Sequence, residues 1–191
     1  MKRNIAVLSF TLITIGSLPG CVPLLVTGAA TGVAMVHDQR SAGAVIDDQG
    51  IEIKAAALLR GDEQLRGEAH LNVTSYNGIV LVTGEAPTAD LRDRVTDIVR
   101  NIDKVRTVHN EVIIAAPSSL MARSSDTLLT GKVKARLLGT RGFDSTRVKV
   151  VSSGGVVYLM GLVTHNEDEI ATEMARTTDG VQRVVKIFEY V

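Results

Sequence analysis

An internal repeat constrains the fold of this chain more than any other feature of its sequence. Residues 71–84 are LNVTSYNGIVLVTG, and residues 148–161 are VKVVSSGGVVYLMG, 77 positions later. Each copy holds two apolar stretches separated by a short turn and ends on a glycine. Such a pattern is typical of a β-hairpin. The repeat therefore predicts two copies of one folding unit.

The turns of the two hairpins have the same kind of sequence. Asn77-Gly78 joins the strands of the first copy, and Gly154-Gly155 occupies the same place in the second. Asn and Gly accept positive φ more readily than other residues, which a two-residue hairpin turn requires. Both copies are therefore predicted to turn tightly at these positions.

A helix is predicted before and after each hairpin, because apolar residues recur there at helical spacing. The first pair of helices is marked by Ile51, Ala55, Leu58 and Leu59 and by Leu91, Val95, Ile98, Val99 and Ile102. The second pair is marked by Leu129, Val133 and Leu137 and by Ile170, Ala171, Met174 and Ala175. A third strand closes each unit, at 105–114 and 181–191.

The predicted fold is α+β, with two tandem α-β-β-α-β two-layer sandwiches. In each, two helices cover one face of a three-stranded mixed sheet. We assign the first domain to residues 46–115, a linker to 116–123 and the second domain to 124–191.

Polar residues mark the predicted helix starts. Thr88 is placed at the start of the second helix, and Thr164 with Glu167 forms a capping box at the start of the fourth. Asp47 and Asp48 are interpreted as caps of the first helix rather than as a catalytic pair of carboxylates.

The first twenty residues are predicted to be a secretory signal peptide. Lys2 and Arg3 precede an apolar stretch at 5–15, which is too short to span a bilayer because a span needs about 20 residues. We exclude residues 1–20 from the fold and assign residues 21–45 to a lipidated cysteine and a tether rich in small residues.

Cys21 is the only cysteine of the chain, so it forms no internal disulfide. The segment Leu18-Pro19-Gly20-Cys21 resembles the lipobox of bacterial lipoproteins, in which the cysteine is acylated. By the same resemblance, Val22 after the cysteine favours sorting to the outer membrane. The alternative is a free or buried thiol.

Composition argues against several classes of function. Aromatic residues make up 3% of the chain, Trp is absent and the formal net charge is zero, so neither base stacking nor a basic field favours nucleic acid. The four histidines lack the spacing of metal ligands, and no nucleophile–base arrangement is present. We therefore expect no metal, no cofactor and no enzymatic activity.

The duplicated hairpin behind a lipobox resembles tandem BON domains of outer-membrane lipoproteins. The residues that carry the resemblance are NVTSYNGIVLVTG and VKVVSSGGVVYLMGLVT. The resemblance implies a non-enzymatic protein that is anchored in the outer membrane and faces the periplasm. It further implies binding to anionic phospholipid, enrichment at division sites and a contribution to envelope integrity.

Charge distinguishes the two copies. Residues 46–116 contain twelve acidic and eight basic residues, whereas residues 120–191 contain eight acidic and ten basic ones. On the basic helix of the second copy, Leu128 lies off the apolar stripe, one turn from Lys132. We predict that this helix contacts anionic phospholipid through Leu128, Leu129, Lys132, Lys134, Ala135 and Arg136.

The first copy is expected to lack this property. The positions eighty residues before Leu128 and Lys132 are Asp48 and Glu52, which an anionic membrane would repel. The hypothesis is that the second copy binds lipid, while the first is a spacer or docks on a protein. A basic helix face that is merely solvated remains the simpler alternative.

A protein–protein adaptor is the rival function. The edge strands of a small sheet accept a further strand, and the acidic first copy suits a basic partner. By resemblance, the partner expected is the outer-membrane β-barrel assembly machinery.

Overall fold

The computed structural model describes residues 40–191. The fold is the predicted α+β arrangement of two α-β-β-α-β units. The predicted signal peptide at 1–20, the acylated Cys21 and the tether as far as residue 39 lie outside the described residues and stay predictions.

The first unit contains two helices and three strands. Its elements are, in chain order, α1 (Ala42–Gly61), β1 (His70–Tyr76), β2 (Ile79–Ala86), α2 (Ala89–Arg100) and β3 (Thr107–Ile114).

The second unit repeats this order. Its elements are α3 (Leu120–Gly139), β4 (Val148–Ser153), β5 (Val156–Val163), α4 (His165–Arg176) and β6 (Arg183–Tyr190), with a single 3-10 turn (Ser145–Arg147) before β4.

The second strand of each unit, β2 or β5, is the central strand of its sheet. β2 pairs antiparallel with β1 and parallel with β3, and β5 pairs in the same way with β4 and β6. The parallel pairing follows from the helix that crosses over between the paired strands. Each sheet is therefore mixed and three-stranded, with two helices on one face, as predicted.

The first helix of each unit is longer than the sequence pattern indicated. α1 begins at Ala42, within the predicted tether, and α3 begins at Leu120, within the predicted linker at 116–123. A serine caps each of them, because the hydroxyls of Ser41 and Ser119 accept backbone N–H groups of the first turn. Each helix therefore has at least one additional N-terminal turn, and the residues of that turn are not part of the buried apolar stripe.

The predicted caps had different outcomes. Thr88 caps α2, and Thr164 with Glu167 forms the predicted capping box of α4. The interpretation of Asp47 and Asp48 as caps is wrong, because both lie inside α1 and Asp48 is only 3% exposed.

The two sheets pack against each other through the faces that the helices leave free. Tyr76 and Leu81 of the first sheet meet Tyr158, Met160 and Ile187 of the second in a separate apolar core. β2 and β5 are thus buried on both faces, which explains their nearly continuous apolar sequences. The molecule has four layers, in the order helices, sheet, sheet, helices.

Polar contacts at the rim join the two units. The Lys149 ammonium donates to the Glu52 carboxylate at 2.7 Å and to the Ser75 carbonyl at 3.2 Å. At another edge, the side-chain amide of Asn77 in the first hairpin turn donates to the Glu189 carboxylate of β6 at 2.6 Å. The interface therefore combines an apolar centre with charged hydrogen bonds at its edges, and we expect the units to unfold together.

The core between the sheets gives a first testable prediction. Met160 is fully buried there, so Met160→Ala should lower the free energy of unfolding by about 2–4 kcal/mol through lost burial and a residual cavity. Urea denaturation followed by circular dichroism measures the change. The control is Met121→Ala on the exposed side of α3, which should change stability by less than about 0.5 kcal/mol. Equal, small effects would contradict a shared core.

Candidate functional site

The helix α3 divides the six predicted lipid-contacting residues among different faces. Leu129 lies in the core of the second unit with Val133 and Leu137, and it is only 6% exposed. The prediction that Leu129 contacts a membrane is therefore wrong, because the helical spacing that places it in the core removes it from the surface. The remaining five are exposed.

One exposed face of α3 is apolar with a single charge. Leu128 is 68% exposed, and Lys132 and Ala135 lie on the same side of the helix. Met121, two turns before Leu128 and 80% exposed, falls within about 20° of it at 100° per residue. We call Met121, Leu128, Lys132 and Ala135 the outer α3 face.

Sequence reasoning missed Met121 because residues 116–123 were assigned to a linker. The serine cap at Ser119 and the apolar pair that follows it were the signal available. Leu120 and Leu138, each 76% exposed, flank the outer α3 face at its two ends. The apolar surface is therefore longer than the single leucine that the sequence pattern identified.

Lys134 and Arg136 lie on opposite flanks of the helix. Lys134 lines a cleft between the two units, on the side of α3 away from Arg136. The Arg136 guanidinium donates to the Thr178 hydroxyl at 3.3 Å, at the end of α4. Neither side chain is part of the outer α3 face, although both add positive charge to the same helix.

The electrostatics of α3 favour anions. The helix carries four basic residues and one acidic residue, Asp126. The Asp126 carboxylate accepts the backbone N–H groups of Gly154 and Gly155 at 2.9 and 3.0 Å, so its oxygens are committed to the hairpin turn. Lys132 lies 3.6 Å from Asp179, but both groups are exposed and such a pair contributes little.

The first unit has the same contact between helix and turn. Asp48 of α1 accepts the backbone N–H groups of Asn77 and Gly78 at 2.7 and 2.9 Å, and the Ser75 hydroxyl at 2.6 Å. Asp48 thus corresponds to Asp126, which places the two helices 78 residues apart in sequence rather than eighty.

This register overturns the prediction that two acidic residues of α1 are the counterparts of Leu128 and Lys132. The residues of α1 that correspond to Leu128 and Lys132 are Gly50 and Lys54, not Asp48 and Glu52. Lys54 lies 3.9 Å from Asp103, as Lys132 lies near Asp179 in the second unit. The lysine is therefore common to both copies and does not distinguish them.

The carboxylates of α1 point to other parts of the protein. Asp48 is buried, Asp47 lies 2.5 Å from the Lys104 ammonium, and Glu52 accepts the Ser75 N–H at 2.8 Å. The outward side of α1 exposes Ile46 and Ile53, at 60% and 71%. α1 also has an exposed apolar surface, but its two basic residues are outnumbered by three acidic ones.

Asp168 is the buried carboxylate that most resembles a catalytic group, and it is fully paired. Burial would raise its pKa, but hydrogen bonds from Lys186, Tyr190 and Thr172 lower the pKa below the ordinary range. The cluster joins α4 to β6, so its role is structural. In residues 40–191 no group of acidic, histidine or cysteine side chains could hold a metal ion.

No helix between residues 40 and 191 combines the length and apolar character needed to cross a bilayer.

Comparison with known proteins identifies the repeated unit. The sequence profile of the BON domain matches residues 47–116 and 125–191. The chain is 34% identical to the Outer membrane lipoprotein DolP of Haemophilus influenzae over 174 residues, which cover 91% of this chain and 90% of that protein.

Two further relatives also match over most of their length. The 21 kDa hemolysin of Actinobacillus pleuropneumoniae is 34% identical over 81% of this chain and 79% of its own length. The Osmotically-inducible protein Y of Escherichia coli is 24% identical over 96% of this chain and 92% of its own length. The chain belongs to the BON-domain family and carries two BON domains in tandem, as its sequence predicted.

Proposed function

We propose that this protein is an outer-membrane lipoprotein that is anchored through acylated Cys21 and faces the periplasm. The sequence of its first 21 residues and its similarity to a protein named as an outer membrane lipoprotein support this assignment. In the same proposal, the outer α3 face binds anionic phospholipid and the protein supports outer-membrane integrity, with enrichment at division sites. No enzymatic activity is part of it.

The observation that carries the proposal is the combination of apolar and basic groups on one exposed helix. Met121 and Leu128 project into solvent. Burying either side chain in lipid would contribute roughly 1.5–3 kcal/mol to the free energy of binding. Lys132 would contribute about 1 kcal/mol near an anionic surface. Solvation alone would account for the cation on this face, but it would not account for the two exposed apolar side chains.

Such a contact is weak by itself, but the protein does not need strong binding through α3 if the lipid anchor already holds it at the membrane. A lipid on Cys21 would keep the domains close to the membrane, which raises the effective concentration of headgroups around α3. The interaction would then act on the orientation of the protein at the membrane rather than on its attachment.

Vesicle flotation tests the outer α3 face directly. We expect the chain from residue 22 onward to float with phosphatidylglycerol vesicles, and Leu128→Glu with Lys132→Glu to weaken binding by at least about tenfold, because insertion and charge attraction are both lost. The matched control is Ile53→Glu with Lys54→Glu on α1, which should bind like the parent. Loss of binding only in the control pair would assign the membrane to the first unit and end the proposal.

Met121 gives an independent prediction, because the sequence pattern did not identify it. Met121→Ser keeps every charge but removes an 80% exposed apolar group, so binding to the same vesicles should fall by about three- to tenfold. The dependence of binding on salt should stay that of the parent, because the screened charges are unchanged. An unchanged affinity would exclude Met121 from the site.

A second candidate function is a protein adaptor that acts through the first unit. Ile46, Ile53 and Leu58 are exposed on α1, a helix whose acidic residues outnumber its basic ones. This composition suits an apolar protein surface better than an anionic bilayer. The β-barrel assembly machinery of the outer membrane is the partner that the family resemblance suggests.

Site-specific crosslinking in cells would distinguish the two functions. A photoreactive residue at Ile53 reports on α1, and one at Leu128 reports on α3; both positions are more than half exposed. We expect lipid adducts at Leu128 and a discrete protein adduct at Ile53 if each unit has its own role. Lipid adducts at both positions would exclude the adaptor, and one protein captured at both would exclude the lipid site.

A further inference from the structure

The sheet face that joins the two units is apolar at one end and polar at the other. Along β1, Tyr76 packs into the core between the sheets, whereas His70, Asn72 and Thr74 of the same face line a cleft of about 460 Å³. On β2, Thr83 and Glu85 line this cleft in the same way. The opposite wall comes from α3 and β4 of the second unit.

One carboxylate of this wall has a buried atom without a partner. Glu85 is only 7% exposed, and its Oε2 atom is buried without a hydrogen bond. Thr74 and Thr83, which are 6% and 2% exposed, line the same cleft. Buried polar groups are nearly always paired, and leaving a carboxylate oxygen unpaired is costly.

The arrangement of these residues on the sheet is regular. His70 lies directly opposite Glu85, and Asn72 directly opposite Thr83, in the antiparallel pairing of β1 with β2. Cross-strand partners share one face of a sheet. The carboxylate, hydroxyls, amide and imidazole therefore form one continuous polar wall.

The opposite wall is cationic. Lys134 of α3 lines the cleft, and within residues 40–191 its ammonium makes no ion pair or hydrogen bond. Lys149 and Arg123 also line it, although Lys149 is bonded to Glu52 and Arg123 to the Ser118 carbonyl. Asp126 faces the same space, but its oxygens hold the turn at Gly154.

We propose that this cleft binds a small zwitterion with an ammonium group at one end and a phosphate at the other. The ammonium would lie against the Glu85 carboxylate, which lines one wall, and the phosphate would lie against Lys134 on the other. The two charges lie on opposite walls, so the ligand must carry its ammonium and its anionic group at opposite ends. Three cationic side chains on one wall match a phosphate better than a single carboxylate.

This site is separate from the outer α3 face. Lys134 lies about 120° around the helix from Leu128, at 100° per residue. A zwitterion of this kind exists both as a free solute and as the headgroup of an ethanolamine phospholipid, and the experiment distinguishes the two sources.

The test is calorimetric titration of the full chain in detergent with O-phosphoethanolamine. We expect binding that weakens by at least about tenfold in Glu85→Gln and in Lys134→Met, because each variant removes one charged contact. The control is Lys54→Met on α1, outside the cleft, which should bind like the parent. Ethanolamine alone and inorganic phosphate alone should each bind more weakly than the zwitterion.

An amide NMR titration keeps the test independent of variant stability. In the parent chain, O-phosphoethanolamine should shift the signals of Thr74, Thr83 and Glu85. Bicelles that contain phosphatidylethanolamine should displace the solute if the headgroup enters the cleft, and should leave those shifts unchanged if only the solute does. Absence of any shift from both sources, or calorimetric affinity unchanged in both cleft variants, would overturn the proposal.

Discussion

The packing of the two sheets against each other is the interaction on which the rest of this structure depends. Tyr76 and Leu81 of the first unit and Tyr158, Met160 and Ile187 of the second exclude water from the centre of the molecule. Each unit has its own core between helices and sheet, but a unit of about 70 residues buries a smaller fraction of its surface than a larger domain does, and the second buried sheet face adds to that burial. Because this face is occupied, the four α-helices of residues 40–191 lie on the outside, where α1 and α3 present apolar residues to solvent.

The second constraint is the bond between a helix carboxylate and a hairpin turn, which both copies keep. Asp48 and Asp126 each accept the two backbone N–H groups of their turn. The contact fixes how far each first helix extends along its sheet, and it identifies which residues of the two helices correspond. With that register, the lysine of the outer α3 face has a counterpart in α1, and the copies differ in overall charge and in their exposed apolar residues rather than in one exchanged pair.

The two units therefore offer three distinct surfaces. The outer α3 face combines apolar and basic groups, the outward side of α1 is apolar with a net acidic helix, and the cleft between the units is polar on one wall and cationic on the other. Lys134 illustrates why the sequence pattern assigns residues of different surfaces to one site. It is two residues from Lys132, yet a rotation of about 200° around the helix places it against the other unit. Charge counted along a helix does not separate its faces.

The sequence by itself determined the elements of each unit. Turn glycines, apolar spacing and the caps at Thr88 and Thr164 are local properties, so the hairpins, the helices and the burial of Val133 and Leu137 could be predicted from it. Only the tertiary structure decided what the free sheet faces meet, which groups the Asp48 carboxylate binds and that one oxygen of Glu85 is buried without a hydrogen bond. Periodicity states which residues share a face, but the neighbour of that face is set by contacts between residues far apart in the chain.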